Sequence, residues 1–253
     1  MTYLGYGGVG QAMILSYLLL FVPFMYYYYP RKFGLFEYAS FALALVPIFF
    51  IFRRGAVLAL ILGLVVYMVL TARKGKVYSF GIIAGIVLII ASPLYLDYVQ
   101  LMYETRPTDL DRQHIEQIGR SQEIIVWAPY WMEQKGLAHT MFGSELYDYQ
   151  TLAGVTRSLH ADYAVYLIGA GIVGFILYFS VIFFLWMDFL SYANKIKQKF
   201  IRKELAAVLA SITVAYFILS YSGQYYVISL LSTGMLLFGV INRKAYELSK
   251  NSH

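Results

Sequence analysis

Apolar residues run along this chain in seven long stretches, with neither the strict alternation of a half-buried strand nor the polar stripe of a soluble amphipathic helix. They occupy 11–29, 38–52, 56–72, 77–95, 163–187, 205–221 and 224–241. A helix covers the hydrocarbon core of a bilayer with about 20 apolar residues, within a range of about 17–25. The second stretch is short, and the fifth is long enough to tilt. None carries an ionisable side chain other than Tyr in its interior. Backbone amides in lipid find no water, so each stretch is predicted to be helical. No ten-residue alternating pattern suggests a membrane barrel. The expected fold is an all-α integral membrane domain of about seven transmembrane helices. One large outside loop, 96–162, joins the fourth and fifth spans.

Lys and Arg orient the spans, because cytoplasmic loops hold an excess of both. With the N-terminus outside, the inside segments are 30–37, 73–76, 188–204 and 242–253, and they carry 13 of the 20 basic residues. The outside segments have twice that length and carry 7. Residues 1–10 carry no charge, as expected of a translocated tail. There is no basic region or small-residue cleavage pattern of a secretory signal. Segment 188–204 contains Lys195, Lys197, Lys199, Arg202 and Lys203. It reads as a solvated topology anchor, or alternatively as a basic helix on the anionic inner leaflet. The tyrosine run Tyr26–Tyr29 reads as an aromatic belt at the inner interface.

Composition agrees with this picture. The chain has 253 residues, 60% of them hydrophobic and 13% charged, with 25 Tyr and 18 Phe; the mean hydropathy is +0.62. Soluble domains carry about 25% charged residues, which excludes an ordinary soluble enzyme and a disordered chain. There is no Cys, so a disulfide-built module is excluded. The net charge of +6 follows from the inside loops and does not call for a nucleic acid partner. No internal repeat, P-loop or dinucleotide glycine pattern is present.

Two features break the pattern. Arg53 and Arg54 stand together in a tight outside turn between the second and third spans. Charges pressed against a membrane are costly and tend to be functional; the two readings are headgroup snorkelling and an anion site near the bilayer surface. The loop 96–162 is far longer than the roughly 12–15 residues above which loops are usually functional. It holds Arg106, Arg112, Arg120 and Arg157, then His114, His139 and His160, and the aromatics Trp127, Tyr130, Trp131, Tyr147 and Tyr149. Arginine grips phosphate oxygens through planar bidentate hydrogen bonds, and aromatic faces pack on the apolar faces of sugars. This combination suits a substrate with a phosphate end and a glycan end. Residues 113–135 read as helical, which sets Arg120 and Trp127 on one face. Arg157 and His160, three apart just before the fifth span, are placed to share a pocket.

A family pattern runs through the same residues. Gly119-Arg120, Trp127, Phe142-Gly143-Ser144, His160-Ala161-Asp162-Tyr163, Gly169 and Gly171-Ile172-Val173-Gly174 follow in order. The set resembles the signature of the O-antigen ligase and O-antigen polymerase superfamily. Arg53-Arg54-Gly55-Ala56 resembles that family's outside Ser-Arg-Gly turn. Ala161 stands where the family often has Asn, and Arg53 where it has Ser; Arg54, directly before Gly55, aligns better. Family members commonly have ten to twelve spans, so the resemblance leaves open a compact member or a chain lacking N-terminal helices.

The resemblance implies a metal-independent membrane glycosyltransferase with no cofactor. Its donor would be a polyprenyl-diphosphate-linked glycan and its acceptor another glycan or a lipid-core sugar. The setting would be the outer face of a bacterial inner membrane, amid membrane lipids and with a chain-length regulator as a further partner. It assigns Arg54 and Arg120 to the diphosphate, Arg53 and Arg157 as helpers, and His160 to the acceptor hydroxyl. Trp127, Tyr130 and Trp131 are the sugar-stacking candidates. Gly169, Gly171 and Gly174 read as close helix packing. Asp109-Leu110-Asp111 has the spacing of a divalent-cation site beside a phosphate, but a solvated loop is the expected reading and no metal site is assigned. His114 and His139 lack zinc spacing. The alternatives are a transporter or flippase of an anionic lipid-linked glycan, for which repeated halves and interrupted helices are expected, and a non-catalytic envelope assembly protein.

Overall fold

A computed structural model of the chain describes residues 14–21, 54–71, 136–143, 162–222 and 228–251. The described elements are all helical: α1 (14–21), α2 (Arg54–Leu70), α3 (136–142), α4 (Asp162–Ala193), α5 (Lys199–Ser222) and α6 (Ile228–Lys250). No strand occurs among the described residues. Two of these helices are long and apolar enough to cross a membrane, Asp162–Ala193 and Lys199–Tyr221, and Gly55–Leu70 is a shorter apolar helix. The expected spans 38–52 and 77–95 lie outside the described residues. So do most of 11–29 and most of the loop 96–162.

The chain divides into two compact units. One comprises Met1–Leu96, Leu185–Leu219 and Val227–His253; the other comprises Asp97–Phe184 and Ser220–Tyr226.

In the first unit, small residues let helices approach. Ser16 Oγ donates to the Ala56 carbonyl at 3.1 Å in a buried contact. One turn further along α1 and two turns further along α2, a Cβ on Gly63 would lie 2.7 Å from Leu20 Cδ1. Residues 16 and 20 share a helix face, as do 56 and 63, so α1 and α2 run in the same direction. Ala56 and Ala59 are fully buried on that face. At the other end of α2 the Tyr67 hydroxyl donates to Glu204 Oε1, near the start of α5. The end of α2 therefore lies beside the start of α5.

The end of α4 meets the second half of α5 and the end of α6 in the same unit. Trp186 Nε1 donates to Thr213 Oγ1 at 2.9 Å. Asn242 Nδ2 donates to the Leu185 carbonyl at 3.2 Å. The Tyr192 and Tyr246 rings meet edge-on, 5.2 Å between centroids. Phe189, Leu205, Leu209, Tyr216 and Phe238 fill the interior and are almost fully buried.

The connection between α4 and α5 corrects one reading of 188–204. It is not a separate basic helix. α4 continues to Ala193 and α5 begins at Lys199, which leaves a five-residue turn, 194–198. Tightened backbone bonds close it: Asn194 N to Leu190 O, Lys195 N to Tyr192 O and Ile196 N to Ala193 O, each 3.0–3.1 Å. Ile196, 4% exposed, anchors the turn, while Lys195, Lys197 and Lys199 remain exposed.

The fifth span is also not one straight helix. Gly171 has φ 67° and ψ −173°, a non-helical conformation inside α4. A straight helix would separate residues 162 and 178 by about 24 Å. Instead the Tyr178 hydroxyl donates to Asp162 Oδ2 at 3.5 Å, and the Tyr166 and Tyr178 rings stack at 3.7 Å. The chain doubles back at Gly171, with 162–170 as a short arm lying on the long arm 172–193. The long arm alone measures about 33 Å at 1.5 Å per residue, still enough for a hydrocarbon core of about 30 Å.

Candidate functional site

The best-defined feature of the second unit is a meeting of glycines. Helix α3 ends at Gly143, whose N–H donates to the His139 carbonyl at 2.7 Å and whose φ is 77°. A left-handed glycine after the last turn is the common way to close a helix C-terminus. A Cβ on Gly143 would run into the backbone of Gly169 and Ala170, and a Cβ on Gly171 would run into the backbone of Gly143 and Met141. The two glycine stretches, 28 positions apart in sequence, are thus in direct backbone contact. Gly174 packs against the Ala170 methyl group. Close packing was the expected role of Gly169, Gly171 and Gly174; the approach of Gly143 and the break in the helix were not expected.

The short arm of α4 begins at Asp162, two positions after His160. Asp162 is fully buried and accepts the long hydrogen bond from Tyr178. An aromatic cluster holds the two arms together. Tyr163 stacks on Phe179 at 5.1 Å and lies 6.4 Å from Phe175, and Phe179 meets Tyr178 edge-on at 4.8 Å. Such ring pairs contribute about 0.5–1.5 kcal/mol each beyond their buried area. The short arm is therefore tied to the long arm by four side-chain contacts. The sequence quoted Asp162 without assigning it a role. The signal available was its position as an acid at the edge of an otherwise uncharged apolar run.

Arg54 is the first residue of α2. Tyr67 and Glu204 join the other end of α2 to the start of α5, which is where Lys199, Arg202 and Lys203 lie. Arg54 therefore stands about 20 Å along the axis of α2 from that contact. Arg53, Arg120, Trp127, Tyr130, Trp131, Arg157 and His160 lie outside the described residues, as do Asp109, Asp111 and His114. His139 is described and is exposed on α3. Among the described residues no group of three or more His, Asp or Glu side chains is placed to hold a metal ion.

A buried carboxylate escaped the sequence reading. Glu204, taken as part of an inside loop, is 4% exposed and bound by Tyr67, itself 4% exposed. The hint was Glu204 directly preceding the apolar run at Leu205; what it lacked was any indication of the partner, 137 positions away.

Comparison with family models, with curated proteins and with solved structures returns no match.

Proposed function

We propose that this chain is a glycosyltransferase of the bacterial inner membrane, acting at the outer face on a polyprenyl-diphosphate-linked glycan, of the polymerase or ligase type. The N-terminus is outside and the C-terminus cytoplasmic. The observation that carries the reading is the contact between Gly143 and Gly171: two separate glycine pieces of the O-antigen polymerase and ligase pattern pack together, beside the arm that follows His160. The membrane setting is supported by the apolar side chains exposed along α4, including Ile176, Leu177, Phe183, Phe184 and Met187, which are 51–62% exposed. An outward apolar surface of that kind suits lipid and not water.

In this mechanism the acceptor hydroxyl attacks the anomeric carbon of the donor. His160 takes its proton, a role suited to an imidazole with a pKa near 6.5. The bond from the anomeric carbon to the diphosphate oxygen breaks, and polyprenyl diphosphate leaves with the electron pair. Arg54 and Arg120 neutralise the growing charge; one well-aimed contact is worth about 2.7–4 kcal/mol. Arg53 and Arg157 assist, and Trp127, Tyr130 and Trp131 hold the sugars.

The interrupted helix α4 favours a second reading, a transporter of the same lipid-linked glycan, since broken helices line the binding sites of many transporters. One assay separates the two. Purified protein is offered a polyprenyl-diphosphate glycan with a carrier-linked unit or a lipid-core sugar as acceptor. Elongation or ligation supports transfer. Movement of the donor across a vesicle membrane without a new glycosidic bond supports transport and overturns the enzyme reading.

A further inference from the structure

Two basic stretches that are remote in sequence lie at one end of the first unit. Lys195, Lys197, Lys199, Arg202 and Lys203 surround the turn between α4 and α5, and Arg243, Lys244 and Lys250 lie on the last turns of α6. The Tyr192–Tyr246 ring contact and the Asn242–Leu185 hydrogen bond bring those stretches together. Eight cations thus form one rim, against three acids, Asp188, Glu204 and Glu247. Glu204 is turned inward onto Tyr67. Glu247 engages Arg243 at 3.0 Å and Lys244 at 3.8 Å, both exposed ion pairs, which are worth little in water. The rim remains strongly positive.

Its place relative to apolar surface is specific. On α6, Leu236 is 66% and Val240 40% exposed, and Arg243 follows at helical spacing on the same face with its side chain 69% exposed. On α4, Met187 and Leu190 are exposed, and Lys195 follows within the turn. Both helices therefore pass from exposed hydrocarbon to exposed cation over one or two turns. Aromatic rings stand at that transition: Trp186, Tyr192 and Tyr246, with Arg243 and Lys250 lying 5.3 and 4.6 Å from the Tyr246 ring centroid. This ordering matches a phospholipid, whose acyl chains meet apolar surface and whose phosphate meets a cation.

We infer that this rim is a binding surface for the headgroups of anionic phospholipids, formed jointly by the α4–α5 turn and the end of α6. The inference rests on the membrane setting proposed above and not on glycosyl transfer. A headgroup bearing net negative charge is preferred over a zwitterionic one, and both halves of the rim contribute.

The test uses purified full-length protein reconstituted in vesicles of phosphatidylcholine alone or with phosphatidylglycerol of the same acyl chains. Lipid co-purifying after gentle extraction is then quantified. Phosphatidylglycerol is expected to be enriched at least about tenfold over its bulk share, and the enrichment falls on raising salt. The variants Lys195→Gln/Lys197→Gln/Lys199→Gln and Arg243→Gln/Lys244→Gln/Lys250→Gln each reduce it, by about fivefold per cation that was engaged. Soluble glycerol phosphate, offered as a competitor, does not displace the lipid at equal concentration. Equal retention of the two lipids, or variants that retain phosphatidylglycerol like the parent, overturns the inference while leaving the membrane setting intact. Displacement by glycerol phosphate overturns it in favour of a site for soluble anions. Failure to float with either vesicle overturns the membrane setting and the inference with it.

Discussion

Gly143 and Gly171 each hold a left-handed backbone, φ 77° and 67°, and the neighbouring backbone leaves no room for a side chain at either position. The contact joins the end of a loop helix to the point where a long apolar helix turns back on itself. Its consequences are open to direct measurement.

Gly136 supplies the control. It also has a positive φ, 78°, but nothing lies within 4 Å of its Cβ position. Gly136→Ala is expected to cost only the left-handed penalty, about 1–2 kcal/mol. Gly143→Ala adds a backbone collision and is expected to cost clearly more, with a matching drop in thermal unfolding midpoint in lipid. Equal midpoints for the two variants would show that the close approach is not formed.

Gly171→Ala tests the fold-back itself. Its ψ of −173° with φ 67° is a region open essentially to glycine alone, and a side chain there costs about 1–3 kcal/mol before any collision. The expected response is straightening of α4. A cysteine pair at 166 and 178 reads it out: cross-linking is efficient in the parent background and is lost on Gly171→Ala.

Tyr67 and Glu204 tie α2 to α5 by a bond to a buried carboxylate. Tyr67→Phe is expected to destabilise by about 1.5–3 kcal/mol, the range for hydrogen bonds to charged groups. Glu204→Gln keeps an acceptor and costs less. A double-mutant cycle over the two positions should return a coupling within 0.5–3 kcal/mol; additivity would mean that the side chains do not act together.

The Lys250 ammonium, by hydrogen bonding to the phenol, and secondarily through its charge and that of Arg243, holds the Tyr246 pKa below the ordinary value of 10. A lowered pKa favours the phenolate in the folded state. The linked stability is therefore present above the unfolded pKa near 10 and is lost as pH falls through the folded value, so neutral pH shows none of it. Lys250→Ala should move the titration of this tyrosine upward in an ultraviolet difference experiment. An unchanged curve would separate Tyr246 from Lys250.

The proposed chemistry makes its own demand on three residues. Arg54→Ala, Arg120→Ala and His160→Ala are each expected to lower transfer by at least about a hundredfold, with insertion and yield unchanged. Chelator is expected to have no effect. Normal glycan length in all three variants removes the assigned roles, and chelator sensitivity would bring Asp109 and Asp111 into the site.

The sequence by itself determined that the described chain is helical and that two of its helices, α4 and α5, are long and apolar enough to cross a bilayer. Length and hydropathy of a single segment decide both, and neither needs a neighbour. It also marked Gly169, Gly171 and Gly174 as positions of close packing, because a residue without Cβ in an apolar run signals crowding. Only the tertiary structure decided where the crowding falls. That Gly171 reverses the chain, that Gly143 fills the bend, and that Glu204 finds Tyr67 are relations between residues 28 and 137 positions apart. Uniformly apolar helices carry little periodic signal to say which faces meet. Their pairing is set by side-chain shape and by hydrogen bonds such as Ser16 to Ala56 and Trp186 to Thr213, and these form only when the partner helix is in place.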